Sequence, residues 1–177
     1  MSLAQLFSLL RSDIARLVLP GTKTWMLAAL SPRFMPVLLI RVARYCYLCK
    51  YLKIISSALT WLNTIVFGIE FTAKCEVGEG LLLPHTFGTV VGARVIGANA
   101  TIFQGVTLGA KFADLAYDAS SRPVIGDNVL LGAGAKVLGG ILVGDNVTVA
   151  ANTLVVTDVE PDSFVIGVPG VATSKRT

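Results

Sequence analysis

Through the C-terminal half of the chain an apolar residue returns at every sixth position: Ile125, Leu131, Val137, Val143, Val149 and Val155, and before them Val90, Ile96, Ile102 and Leu108. Gly or Ala follows most of these, as in Ile96-Gly97, Leu108-Gly109, Ile125-Gly126 and Val149-Ala150. A period of six fits neither the roughly 3.6 of a helix nor the roughly 2 of an isolated strand. It is the repeat of a parallel β-helix, in which six residues make one strand and one corner. The apolar residue points into a narrow shaft, and the small residue beside it lets the backbone turn. Phe71, Val77 and Leu83 begin the series, and a slip of one residue precedes Val90. The period pauses again over residues 110–124 (AKFADLAYDASSRPV), which predicts an extruded loop of the kind that often carries function. There is room for about five coils of three strands. So thin a shaft leaves its faces open to sister subunits.

The front of the chain has a different period. Leu3, Leu6, Phe7, Leu10, Ile14 and Leu17 follow helical spacing, Pro20-Gly21 interrupts it, and Thr24 to Leu30 makes a second short helix. Residues 35–67 predict a long helical stretch that starts near Pro36, breaks once near Ile55–Ser57 and stops at Gly68. Arg41, Arg44 and Lys50 mark its wet side. The expected organisation is an α-helical domain over residues 1–68, an all-β parallel β-helix over 69–165, and a tail over 166–177.

Composition changes this picture in one respect. The chain is 54% hydrophobic and only 15% charged, which predicts buried subunit contacts or a membrane surface. Residues 1–68 hold eight Lys or Arg against one acid, Asp13, while the remainder is slightly acidic. A basic, apolar front end suits anionic lipid, and it equally suits an oligomer with solvated bases. No uncharged run exceeds 16 residues, and the one in the helical part, Ile54 to Ile69, carries Ser, Thr and Asn, short of the roughly 20 apolar residues of a span. Nothing at the front resembles a secretory leader. A cytoplasmic chain, with peripheral contact to the inner membrane face left open, is the expectation. Cys46, Cys49 and Cys75 lack the companions of a metal site and read as free thiols. The bases are interleaved with aliphatics rather than stacking aromatics, which argues against nucleic acid.

His85 is the only histidine. It stands in Leu83-Pro84-His85-Thr86-Phe87-Gly88, beside the slip, where proline and glycine imply a corner and an outward ring. A lone histidine is ordinarily structural. Imidazole is nonetheless the one side chain able to act as a neutral base near pH 7 without a large pKa shift.

The stretch from Gly68 to Arg176 resembles the left-handed hexapeptide acyltransferases, and within them the serine acetyltransferase branch with its relatives that acetylate surface polysaccharides. The resemblance rests on Ile69-Glu70-Phe71, on Val77-Gly78-Glu79-Gly80, on Leu83 through Gly92, on Gln104-Gly105-Val106-Thr107-Leu108-Gly109, on Leu131 through Gly139, and on Ile166-Gly167-Val168-Pro169. It implies a left-handed coil and acetyl-CoA as co-substrate without metal. His85 then falls on the position of the family's catalytic histidine, and Glu70 on that of the Asp that pairs with it. The resemblance also implies that Gly109, Ala110, Ala133 and Ala151 border the pantetheine groove, with Lys175 and Arg176 toward the CoA phosphates. Homotrimers, with active sites between adjacent subunits, are the family habit, and a dimer of trimers through the helical ends is left open.

Departures from the family pattern bear on the acceptor. Serine acetyltransferases carry Asp directly before the catalytic histidine, where this chain has Pro84. They carry Asp-Arg-His-Pro after the loop, where this chain has Ser120-Ser121-Arg122-Pro123. The amino-acid clamp therefore looks dismantled, with Arg122 left to meet an anionic acceptor. These departures predict an O-acetyltransferase acting on a sugar hydroxyl of a surface polysaccharide or its lipid-linked precursor. Serine O-acetyltransferase is the alternative, N-acetylation of an amino sugar is a variant, and a non-catalytic β-helix scaffold is a reading of another class.

Overall fold

The computed structural model describes residues 1–18, 25–113 and 117–174. Among the described residues four helices come first: α1 (Leu3–Ala15), α2 (Trp25–Ala29), α3 (Met35–Leu48) and α4 (Lys53–Phe67). Ser2 opens α1 with a capping box, its hydroxyl accepting from the Gln5 N–H while the Gln5 side chain accepts from the Ser2 N–H. α3 has Pro36 in its first turn. The break in residues 35–67 lies at Cys49–Leu52, not at Ile55–Ser57. Ser56 does not break the helix because its hydroxyl donates to the Ala43 carbonyl at 2.8 Å and ties α4 to α3. Gly68 caps α4 at φ 66°, a left-handed conformation that a Cβ disfavours.

Three parallel sheets follow, each one face of a prism. The first face stacks β1 (Ile69–Phe71), β3 (Thr89–Val91), β6 (Thr107–Gly109), β9 (Lys136–Leu138) and β12 (Leu154–Val155), which makes five coils. The second stacks β2 (Glu76–Val77), β4 (Val95–Ile96), β7 (Val124–Ile125) and β10 (Leu142–Val143). The third stacks β5 (Thr101–Ile102), β8 (Leu130–Leu131), β11 (Thr148–Val149) and β13 (Ser163–Ile166). Residues of the tail turn back as β14 (Val171–Ser174), antiparallel to β13. The architecture is the left-handed parallel β-helix behind a helical region.

The sixfold period is the inward row. Ile96, Ile102, Leu108, Ile125, Leu131, Val137, Val143 and Val149 are all buried. One position is corrected: the inward residue of β3 is Val91, paired with Phe71 and Leu108, while Val90 faces outward and is half-exposed. The slip before β3 is therefore two residues long. A second inward row stands two residues before the first at most corners, as in Val106, Val129, Ala135 and Val147. Along one edge, Asn99, Asn128, Asn146 and Asp162 occupy left-handed conformations. Their side chains form a ladder, each Asn amide donating to the next side-chain oxygen at 3.2, 3.1 and 2.9 Å. Asn tolerates this conformation better than other residues with a Cβ, so each corner turns without strain and caps its neighbour.

The helices and the prism share one core, in which Phe34, Val37 and Ile40 of the helical region join the inward rows. Arg41 corrects a sequence expectation. It is 2% exposed, and its partner Asp13 is 1% exposed. The guanidinium donates to both Asp13 oxygens at 2.8 and 2.9 Å and also to the carbonyls of Val77 and Gly78. Asp13 accepts in addition from the Leu81 N–H at 2.8 Å. Arg44 is likewise turned inward, onto the Ala73 and Lys74 carbonyls, and Arg16 reaches the Gly80 carbonyl. These arginines satisfy carbonyls of the first coil, which has no coil above it. Only Lys50 of the three bases expected on the wet side is exposed.

Candidate active site

The corner between the third and first faces takes four residues in the lower coils, as in Phe103–Val106 between β5 and β6. In the first coil the same corner is two residues longer, because Leu82 pairs with Thr101 while Val90 pairs with Thr107. The C-terminal end of the enlargement is pinned: the Gly88 N–H donates to the Gly68 carbonyl, and the Phe87 carbonyl accepts from the Gly105 N–H. Pro84, His85 and Thr86 are the residues pushed outward. His85 is exposed at this bulge and lines a groove of about 450 Å³ with Arg33, Phe87 and Gln104. Arg33 comes from the segment before α3, so the helical region supplies one wall. Sequence reasoning missed Arg33 and Gln104. The signal for Gln104 was its place in the corner that the lower coils build from small residues.

Ala133 and Ala151 lie along that same edge. Backbone hydrogen bonds place Phe87, Gln104, Ala133 and Ala151 in one column, each carbonyl accepting from the next coil: Gly105 to Phe87, Gly134 to Gln104, and Asn152 to Ala133. Below Phe87 and Gln104 the column continues down the prism as a ledge of small side chains, Ala133 and Ala151. Gly109 and Ala110 do not share it. They close the opposite edge of the first face, where Ala110 borders a groove of about 420 Å³ with Lys111, Phe112 and Gly139. The four residues that the resemblance assigned to one groove therefore fall on two edges of a single protomer, because one face is only a strand wide. Lys175 and Arg176 lie outside the described residues.

Glu70 is the central residue of β1, exposed on the outer surface of the first face, in register with Val90, Thr107, Lys136 and Leu154. It lines a third groove of about 360 Å³ with Thr60, Lys74, Tyr117 and Arg122. Among the described residues, neither Glu70 nor His85 makes a side-chain hydrogen bond or ion pair. Arg122 is engaged within its own protomer. Its guanidinium stacks 4.2 Å from the Tyr117 ring centroid and donates to the Gly92 carbonyl at 3.0 Å. Lys74 sits 4.6 Å from the same ring. Burial is the main cause that holds the Tyr117 phenol above its usual range, with the Arg122 charge opposing. Glu70 and Arg122 thus share a groove, and His85 occupies another.

Cys75 is buried, and burial pushes its thiol up to about 12. It stays protonated at physiological pH and offers no nucleophile. Among the described residues no group of His, Cys, Asp and Glu has the makeup of a metal site.

Residues 122–157 match the family described as bacterial transferase hexapeptide (six repeats), and residues 88–111 the hexapeptide repeat of succinyl-transferase. The serine acetyltransferase of Helicobacter pylori is 35% identical over 144 residues, covering 81% of this chain and 82% of that protein. The chain belongs to the hexapeptide-repeat acyltransferases, in their serine acetyltransferase-like branch. The serine acetyltransferase of Synechococcus elongatus is 36% identical over 140 residues, 78% of this chain, and that of Staphylococcus aureus 41% over 114 residues, 64% of this chain. The chain spans about half the length of these two relatives, 56% and 52%. Among solved structures, the serine acetyltransferase of Neisseria gonorrhoeae superposes with a TM-score of 0.86 at 30% identity, covering 99% of this chain and 70% of that one. The same enzyme in complex with serine gives 0.83 at 30% identity, over 98% and 71%. A serine acetyltransferase in complex with CoA gives 0.83 at 26%, over 97% and 71%.

Proposed function

We propose that the chain is an acetyl-CoA-dependent O-acetyltransferase whose acceptor is the hydroxyl of serine. The observation that carries the chemistry is the sole histidine, set outward on an enlarged corner above a ledge of small residues. The acceptor rests on the branch, since its relatives are serine acetyltransferases and the gonococcal structure takes serine. The preference for a sugar acceptor drawn from the clamp residues is given second place on that ground.

His85 acts as the general base. It takes the proton of the acceptor hydroxyl as the oxygen attacks the thioester carbon, and returns it to the departing CoA sulfur. The acetyl group passes directly, with no covalent enzyme intermediate. A backbone N–H at the edge of the ledge bonds the developing oxyanion. Glu70 is the carboxylate assigned to hold the imidazole tautomer. Because the two side chains do not meet in the isolated protomer, that contact requires a side-chain rotation or closure on substrate. Gly109 and Ala110 lie on the opposite edge of the first face from Ala133 and Ala151. A CoA groove using all four is completed by the neighbouring subunit of a trimer, and trimeric assembly is part of the proposal. So is a cytoplasmic setting, where acetyl-CoA is supplied.

Two observations favour a sugar hydroxyl as the second reading. Pro84 replaces the Asp expected before the histidine, and Arg122 is occupied by Tyr117 and the Gly92 carbonyl rather than poised for a carboxylate. Thiol release from acetyl-CoA, measured with L-serine and with a panel of free and nucleotide-linked sugars, separates the two. Turnover with serine that His85→Ala lowers by about 10² or more supports the first reading. Turnover with sugars alone transfers the same chemistry to the second. A wild-type rate with neither acceptor above the His85→Ala background removes both.

A further inference from the structure

Helix α4 faces the wrong way for a helix in water. Its buried residues are the polar Ser56 and Asn63, with the Asn63 amide donating to the Pro36 carbonyl at 3.2 Å. Its outward stripe is Ile54, Ala58, Trp61 and Ile65, at the helical spacing of one face. Ile54 is 86% exposed, Trp61 72% and Ile65 73%. Ile55, Leu62 and Val66 widen the stripe and are exposed as well. Tyr51, Lys50 and Lys53 stand exposed at its head. An apolar surface of this width marks a site of contact rather than an ordinary solvated face.

Charge decides what covers it. Residues 1–68 contain one acid, Asp13, and the structure buries it against Arg41. The outer surface of the helical region therefore carries no carboxylate, while Arg11, Arg33, Lys50 and Lys53 are exposed on it. A self-paired contact through this region would bring cations against cations with no counter-charge from either copy. An anionic bilayer supplies the missing charge and the apolar phase together. The helix cannot cross a bilayer. Its 15 residues reach roughly 22 Å, less than the roughly 30 Å hydrocarbon core, and no described helix is long and apolar enough to span. We infer that α4 is an interfacial helix that docks the protein onto anionic lipid, with Trp61 and Tyr51 at headgroup level and Lys50 and Lys53 against the phosphates. This stands apart from the identity of the acceptor.

The test is flotation of the full chain with vesicles of phosphatidylcholine alone or with a third phosphatidylglycerol, at low and high salt. Co-flotation with the anionic vesicles only, weakening as salt rises, is expected. Trp61→Ser with Ile65→Ser should lower bound protein about tenfold or more. Lys50→Gln should lower it about fivefold. Trp25→Phe leaves Trp61 as the only indole, and lipids brominated on the acyl chain should then quench it. Circular dichroism and acetyl transfer by the Trp61→Ser, Ile65→Ser variant should match wild type, which separates loss of docking from loss of fold or activity. Wild-type protein that stays at the bottom of the gradient with anionic vesicles at low salt overturns the inference. So does binding that the double substitution leaves intact. A double substitution that lowers the oligomer's mass while wild type ignores lipid overturns it too, in favour of a subunit interface.

Discussion

Replacing Asp13 by Ala should undock the helical region from the prism. The substitution leaves the Arg41 guanidinium 2% exposed without a counter-charge and strips the Leu81 N–H of its acceptor. Breaking one side of a buried pair costs about 3–5 kcal/mol. The orphaned N–H has a penalty of about 1–3 kcal/mol that overlaps this figure, since both charges the same relaxation. Arg41 keeps the Val77 and Gly78 carbonyls, at 2.6 Å each, which argues for the lower part of the range. A loss of about 3 kcal/mol lowers Tm by roughly 6–12 °C at this chain length. Urea unfolding followed by the emission of Trp25 and Trp61, both in the helical region, reads it directly. Protein concentration must be held fixed, because subunit assembly adds mass action. The cycle is closed with Arg41→Met and with Asp13→Leu combined with Arg41→Met. The double variant should recover at least about 2 kcal/mol relative to the sum of the single substitutions, because removing both charges leaves none stranded. A single-substitution cost under about 1 kcal/mol, or strictly additive costs, would refute the reasoning and locate docking in Phe34, Val37 and Ile40 alone.

Three further outcomes are expected. His85→Ala should lower kcat by about 10² or more without shifting the unfolding midpoint, and an unchanged turnover rules out the general-base role. Asn128→Ala should cost about 2–3 kcal/mol in urea, combining a left-handed conformation that alanine resists with two ladder bonds, whereas Asn128→Gly should cost less because it relieves the conformation; equal losses would remove the conformational argument. Burial holds the Cys75 thiol protonated to about 12, so the folded state binds a proton that the unfolded chain releases above pH 9.0. Stability should therefore fall as pH rises through that interval, by about 1.4 kcal/mol per pH unit from this group, and Cys75→Ala should fall less steeply between pH 8 and pH 10. Parallel slopes for the two proteins would count against a buried thiol.

The sixfold apolar rows, the helices in front and the outward histidine follow from the order of residues, because an inward shaft and a turning corner impose local demands that each hexapeptide meets by itself. Even there the period left an ambiguity. Val90 and Val91 are equally apolar, and only pairing with Phe71 and Leu108 selects Val91 as the inward one. Arg41 and Arg44 illustrate the opposite limit. A charge at helical spacing reads as solvated unless its partners are known, and theirs lie about thirty residues away on the first coil and, for Arg41, on α1. The inverted face of α4 was hidden for the same reason, since its Ser and Asn are buried by hydrogen bonds to α3 and not by hydrophobicity. The family resemblance also grouped Gly109 with Ala133, although the width of one strand separates them across the first face. Repetition along the chain determines what is periodic. Which distant group satisfies a buried charge or carbonyl, and which edge a residue borders, is decided only when the coils stack and the helices close over the first of them.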